Sequence, residues 1–391
     1  MNNKGHLILN DKYSIKEITD LSEFEGLSSL WDKIAEKNTS YKPYLSFNWY
    51  RIWLKHFLDN HQLLILLVFK NGILETIAPL VIKQRKFKGI FVKKVELIGN
   101  AYSPIQTFLF KESDDRIRSE MVSVILHYFS KINRDWDIID LQSIPEEEGT
   151  LQHVINTVDK SGFKKNEYCC FGNWYSDGIQ YSSDIYFKNR TKNLRASIKK
   201  NVRNARNKGK LKFEMIIHEG DIEKNVNRYF GVYSRSWKRG EKVGPNFLID
   251  FIKYAGKEGW LRLGLVSLDN VTIGVGFAIV CDGFAYFEKT AYEKNYEDVG
   301  AGSIWLTEMM KYVIDVDKVS AIDFLRGDDQ YKRRWVSKRR ERKGLIIFKK
   351  NLKGYYLYTL LRYVLPVLNR NEYLRRVKAF AAEKIFKTML L

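Results

Sequence analysis

A plan of paired strands followed by a helix occurs twice in this sequence, about half a chain apart, and a repeat of that size constrains the architecture more than any single residue does. Residues 63–69, an Asn71-Gly72 turn and residues 75–82 form one hairpin signal; residues 261–267, an Asp269-Asn270 turn and residues 271–280 form another, 198 residues later and of matching lengths. Asn-Gly between apolar runs is among the strongest short-range hairpin signals. Each hairpin leads on to a helical pattern, around 117–129 and 303–315, and then to a short apolar strand carrying an acid: Asp140 in the first half and Asp323, 183 residues on, in the second. An ancient duplication accounts for this, and the alternation of strands and helices predicts an α/β (α+β) fold with mixed sheets flanked by helices. Helical spacing also marks 24–35, the segment from Trp49 to Phe57 with Ser46 as N-cap, and Tyr229, Val232, Tyr233 and Trp237 ahead of the second hairpin. Pro79 lacks a backbone donor and implies an edge position for its strand.

The 391 residues exceed a typical single domain, and 45% hydrophobic content with only 6 Pro excludes a disordered or fibrous chain. The net charge of +20 is concentrated in two places: residues 188–210 carry ten Lys/Arg and no acid, and residues 331–391 carry eighteen against three acids. Such segments attract anionic partners: a phosphorylated ligand, nucleic acid or an anionic membrane face. Within 188–210, Leu194, Ile198, Val202 and Ala205 share one helical stripe, so the segment is either a solvated basic face over buried apolar residues or a wall facing phosphate. The N-terminal ten residues hold an apolar run of three, too short for a secretory core, and no stretch reaches the roughly 20 apolar residues of a membrane span. Three cysteines (Cys169, Cys170, Cys281) in neither a disulfide nor a Cys-x-x-Cys pattern favour a reducing cytoplasm, with the vicinal pair expected as buried packing. The six histidines show no metal-ligand spacing, and no metal site is expected.

Chemistry concentrates between Tyr286 and Trp335. A run with strand character ends before Val299-Gly-Ala-Gly-Ser303, which opens a helix; the segment Ala321-Ile-Asp-Phe-Leu-Arg-Gly-Asp-Asp-Gln-Tyr-Lys332 follows. Small residues at a helix start leave unpaired N–H groups and the positive end of the dipole facing an anion. A strand–helix–strand unit of this kind is right-handed and binds ligands in the loop after its first strand.

These residues carry a resemblance. From Trp31 to about Trp335 the chain resembles the CelD/BcsL-type acyltransferases of the GNAT superfamily, which are similar to Fem-type aminoacyltransferases. The resemblance lies in Asn193-Leu-Arg-Ala-Ser-Ile-Lys-Lys-Asn-Val-Arg203, in Gly300-Ala-Gly-Ser303, and in Ile322-Asp-Phe-Leu-Arg-Gly-Asp328 with Tyr331-Lys332. It implies two tandem GNAT-like domains, a degenerate one over 1–185 and one over 186–345 with the donor site, then a basic amphipathic helical tail over 346–391. It further implies an N-acyltransferase that moves an acyl group from a thioester, acyl-CoA or an acyl carrier protein, to an amine such as an amino sugar of a surface polysaccharide. Val299, Gly300, Ala301, Gly302 and Ser303 would bind the donor. One position departs from the superfamily turn: an Arg or Gln three residues before its first glycine is replaced by Glu297, whose charge disfavours a pyrophosphate. The alternatives are an aminoacyl-tRNA donor, as in Fem-type enzymes, or a non-catalytic GNAT-like protein that binds nucleic acid or membrane.

Direct transfer needs alignment of two substrates, donors for an oxyanion and a base for the attacking ammonium. Glu288 and Asp323 are the candidate bases; Glu288 could equally face water, and Asp323 could cap the Arg326-Gly327 turn. Asp328 and Asp329 are expected to pair with Arg333 and Arg334. Tyr331 and Lys332 lie where the resembling enzymes use a lysine near the substrates, and Tyr292 could protonate the leaving thiolate or simply pack. The tail beyond Lys349 has one helical pattern from Tyr355 to Leu365 and another over 373–390, either packed on the domain or attached to the inner membrane face.

Overall fold

The computed structural model describes residues 6–37, 41–132, 135–147, 149–236 and 245–370. Its strands are β1 (His6–Ile8), β2 (Tyr13–Ile18), β3 (Gln62–Lys70), β4 (Ile73–Phe87), β5 (Ile90–Leu97), β6 (Leu109–Phe110) and β7 (Ile138–Ile144), followed by β8 (Lys164–Ser176), β9 (Leu211–Ile216), β10 (Leu261–Leu268), β11 (Val271–Cys281), β12 (Phe284–Tyr292), β13 (Ala321–Arg326) and β14 (Lys338–Phe348). All join one mixed sheet in the order β1-β2-β3-β4-β5-β7-β14-β8-β13-β12-β11-β10-β9, with β6 on β4. Helices cover both faces.

The repeat seen in sequence is a repeat of topology. The β3–β4 hairpin, β5, the helix Asp115–Lys131 and β7 are matched by the β10–β11 hairpin, β12, the helix Ala301–Asp315 and β13. In each set the strand before the helix is antiparallel to the hairpin and parallel to the strand after it, β5 with β7 and β12 with β13. Both hairpin turns use consecutive left-handed residues, Asn71-Gly72 and Asp269-Asn270, as two-residue loops demand. The last strands are exchanged between the sets. β14, from the end of the chain, lies between β7 and β8, and β8, from the first half, pairs with β13 of the second.

Two helices preceding the hairpins, Phe47–Phe57 and Asn246–Lys257, pack on each other and build a shared core on one face from Trp31, Trp49, Trp53, Phe247, Phe251 and Tyr286. The opposite face carries a separate core for each half, under the helices 115–131 and 301–315. In the second, Trp305 lies flat across the hairpin. Its Nε1 donates to Gly264 O at 2.9 Å, and a Cβ at Gly276 would come within 2.5 Å of its ring, so these strand glycines make room for the indole.

Several expectations change. Pro79 is in an interior strand, β4, between β3 and β5; its missing N–H falls where the neighbour on one side changes from β6, whose pairing ends at Ile77, to β5, whose pairing starts at Leu80. The 24–35 pattern is two helices, Leu21–Glu25 and Ser28–Ala35, with Gly26 ending the first. Tyr229, Val232 and Tyr233 are buried on the helix Glu219–Arg235, but a further helix, 246–257, intervenes before the second hairpin; Trp237 lies outside the described residues. Cys169 is exposed, because β8 is covered less completely than the strands around it, while Cys170 is half-buried. The helical pattern over 373–390 also lies outside the described residues.

Candidate active site

The parallel pairing of β12 with β13 ends at Tyr286↔Asp323. Beyond it the strands part, and a pocket of about 270 Å³ opens between them, lined by Phe287, Glu288, Lys289 and Thr290 of β12 and Phe324, Leu325 and Arg326 of β13. Both strands are irregular there. β12 bulges against β11, since Gly276 faces Thr290 while Ala278 already faces Phe287, which re-aims Glu288 and Lys289. β13 slips against β8 between Asp323 and Arg326, with Leu325 at φ 52°. Strand edges that have lost their partner offer backbone donors to a ligand, and residues held off regular geometry cluster at functional sites.

The glycine turn borders the neighbouring cavity. Gly300, at φ 71°, precedes the helix 301–315, whose N-terminus has no side-chain cap. A Cβ at Gly300 would meet the Asn201 side chain at 2.4 Å, so backbone conformation and space both call for glycine. Val299 and Ala301 point into the core; Gly302 and Ser303, with Tyr292, Leu194, Arg334 and Trp335, line a pocket of about 300 Å³. Thr290, Leu306, Asp329 and Tyr331 line both pockets, so the two are sides of one cleft. The basic helix Lys192–Lys208 packs on the helix 301–315 and on the turn before it. Lys208 holds Asp298 there, and Glu297 is exposed. Backbone N–H groups at an uncapped helix start, with Arg334 and a basic helix alongside, suit a phosphorylated donor despite Glu297.

The predicted residues divide into two groups. Glu288, Lys332, Tyr331, Tyr292, Gly302 and Ser303 come together around the cleft. Asp323 does not reach it. Its carboxylate, 3% exposed, accepts from Tyr41 Oη, Asn173 Nδ2, Leu325 N and Arg340 Nη2, each at 2.6 Å. That set makes it a hub joining both halves and the exchanged β14, rather than a cap of the Arg326-Gly327 turn alone. Lys332, 5% exposed, donates to Phe324 O, Arg326 O and Gly327 O at 3.0, 2.8 and 3.2 Å and pairs with Asp329 at 3.4 Å. Burial pulls its pKa down, opposed by Asp329. Lys332 thus pins the β13 turn at the floor of the cleft. Asp328 pairs with Arg339 at 2.7 Å and accepts from Trp174, so neither it nor Asp329 uses the expected arginines 333 and 334; the extended β14 brings Arg339 nearer.

Residues that sequence reasoning missed come from the first half. Tyr44 Oη donates to Glu288 Oε1 at 2.5 Å. Burial, then the Glu288 charge, raises the Tyr44 pKa well above its usual value, so the phenol stays a donor. Ala101, Tyr102 and Pro104 close the cleft from the first half, and Lys289 Nζ sits 5.1 Å over the Tyr102 ring. No local pattern around residues 41–44 or 101–104 marks them, because it is the packing of the helices 47–57 and 246–257, far apart in sequence, that brings them here.

Residues 192–333 match the model of the acetyltransferase (GNAT) domain. The fold is similar to that of the crystal structure of FemX, with a TM-score of 0.57 at 13% identity over 84% of this chain and 98% of that one. A protein of unknown function from Bacteroides thetaiotaomicron (TM-score 0.48, 10% identity, 84% and 98% covered) and L-PGS from Bacillus licheniformis (0.45, 10%, 74% and 85%) are also similar. No curated protein matches in sequence. The match over residues 192–333 supports an acyltransferase, and GNAT domains generally take their acyl group from acyl-CoA. Among the described residues, no group of His, Cys, Asp and Glu could hold a metal ion, and no helix is long and apolar enough to cross a membrane.

Proposed function

We propose that the protein is an N-acyltransferase of the CelD/BcsL type, transferring an acyl group from a thioester, acyl-CoA or an acyl carrier protein, to an amine, and that the acceptor is an amino sugar of a surface polysaccharide. The observation that carries this reading is the single cleft with the uncapped glycine turn on one side and the bulged, tyrosine-held Glu288 on the other. Residues 186–345 would form the active GNAT-like domain, 1–185 a degenerate one that lends Tyr44 and Tyr102, and the basic tail over 346–391 would hold the enzyme peripherally at the inner membrane face.

In this mechanism the donor's phosphates rest on the turn Val299–Ser303 and the thioester extends past Tyr292 and Thr290. Glu288 takes a proton from the acceptor ammonium, the amine nitrogen bonds to the thioester carbonyl carbon, and backbone N–H groups of the parted β12 stabilise the oxyanion. The carbon–sulfur bond then breaks; Tyr292, its phenol kept protonated by burial and by the charge of Glu297, protonates the leaving thiolate and recovers a proton from the nitrogen, which becomes the neutral amide, while Glu288 releases its proton to solvent. Tyr331, at the boundary of both pockets, orients the acceptor, and Lys332 holds the floor in place.

A second reading, an aminoacyl-tRNA donor, draws on the basic helix 192–208 beside the turn. Turnover separates the two. Thiol release from acyl-CoA should depend on an added amino sugar and fall by about 10³-fold or more in Glu288→Gln, the size expected for loss of a general base with a well-positioned substrate. Acyl transfer that proceeds only from charged tRNA would replace the first reading with the second.

A further inference from the structure

A helix at a protein surface ordinarily turns a polar stripe to water. The C-terminal helical segment, Leu352–Thr359 continuing through Leu360–Val364 and Leu365–Arg370, does not. Its inner side rests on the sheet through Gly354 and Leu357, the latter in a small cluster with Val92, Ile346 and Phe348. Its outer side carries Leu352, Tyr355, Tyr356, Tyr363 and Val367, spaced by three, four or seven residues and between 46% and 91% exposed. Lys353 is exposed beside the first turn of that stripe, and Arg362 is exposed in the π-helical turn Leu360–Val364 that continues it.

A second element joins it. The tip of the β4–β5 hairpin presents Phe91, 69% exposed, under Lys86 Nζ at 5.1 Å from the ring. Phe91 and Lys93 line one depression of about 370 Å³ together with Lys349 and Lys353 at the foot of the helix. Lysines 86, 93, 349 and 353 stand beside these apolar groups, with Lys88 exposed at the hairpin turn, against Asp135, paired with Lys93, and Asp137, paired with Lys353. Apolar and aromatic side chains rimmed by cations match the boundary of an anionic bilayer, where rings enter the headgroup layer and lysines meet phosphates. A second copy of the chain would cover the apolar stripe but bring two sets of lysines together, which argues against it as the occupant.

We propose that the outward stripe of the 352–367 helix and the 86–93 hairpin tip form one docking surface for an anionic lipid bilayer. It rests on the peripheral association suggested above, not on acyl transfer, and it assigns the contact to folded elements, one of them far from the tail in sequence.

Co-sedimentation of the full chain with vesicles of phosphatidylcholine, alone or mixed with phosphatidylglycerol, tests this at low and high salt. The wild type should bind the anionic vesicles and release in salt. Two full-chain variants, Leu352→Ser/Tyr356→Ser/Val367→Ser and Phe91→Ser, should each bind about tenfold or more weakly with a nearly unchanged melting temperature, since the first removes side chains 59–91% exposed and the second gives up only the surface contact with Lys86. A third, Arg375→Gln/Arg376→Gln/Lys378→Gln, separates surface from tail. Binding lost in the third but intact in the first two would overturn the surface while keeping association through the tail. Failure of the wild type to bind anionic vesicles overturns both, as does a dimer that the serine variants abolish in the absence of vesicle binding.

Discussion

Replacing Asp323 by Asn separates the hub from the base. The carboxylate is 3% exposed and receives four hydrogen bonds at 2.6 Å, two on each oxygen, one of them from the Arg340 guanidinium. An amide keeps one acceptor and turns an NH₂ group toward two of those donors, leaving Arg340 only the partly exposed Glu147 as counter-ion. Removing one member of such a pair costs about 3–5 kcal/mol. With an unfolding entropy of about 2.1 cal/mol/K per residue, a chain of 391 residues loses about 4–6 °C of melting temperature for that cost. Thermal unfolding followed by circular dichroism at neutral pH reads this directly, and activity measured below the transition should keep most of its kcat. An unchanged melting temperature with turnover abolished would refute the reasoning and make Asp323 the base.

Tyr44→Phe should lower kcat by about 10- to 100-fold with little change in donor affinity, because it deletes a hydrogen bond to a charged group, worth about 1.5–3 kcal/mol; steady-state kinetics with the split of kcat from KM checks it. Glu96 is buried between Lys83 and Lys94 at 2.9 and 2.6 Å; burial pushes its pKa up, but the two lysines win and hold it below the usual carboxylate value. A depressed folded pKa contributes stability above the unfolded pKa that disappears as pH falls through the folded one. Acid denaturation should therefore show this loss below about pH 4.5, and Glu96→Gln should flatten that slope while costing about 3–5 kcal/mol at neutral pH, as seen by urea titration across pH.

Much of the fold was legible because its signals are local. Asn71-Gly72 and Asp269-Asn270 specify two-residue turns, Ser46 caps its helix by accepting from Trp49 N, and the apolar runs of β3 and β11 are the continuous kind that sheets buried on both faces require. The glycine turn was legible for the same reason: Gly300 needs a left-handed backbone. What stayed hidden depends on chain crossing. Nothing in 338–348 announces that β14 leaves its own half, yet that crossing brings Arg340 to Asp323 and Arg339 to Asp328 and defeats the local pairing expected with Arg333 and Arg334. Tyr44 is equally silent in sequence, being a buried aromatic among many until Glu288 is found 2.5 Å away. Pro79 misled because proline reports a missing donor, and an interior strand can lack one where its neighbours change over.

Donor binding at the glycine turn is the claim on which the rest depends, and titration calorimetry of acyl-CoA into wild type and Gly302→Glu measures it most directly. A Cβ at Gly302 would stand 3.3 Å from the Tyr292 ring, which must shift by a few tenths of an ångström to accept it, and a carboxylate near a helix N-terminus is tolerated by the dipole, so the variant should fold while its own charge occupies the anion position. The account predicts binding to the wild type and an affinity lower by about tenfold or more in the variant, a loss of about 1.4 kcal/mol or more. Equal affinity in both proteins, or no thioester binding beside salt-sensitive binding of tRNA, would contradict it.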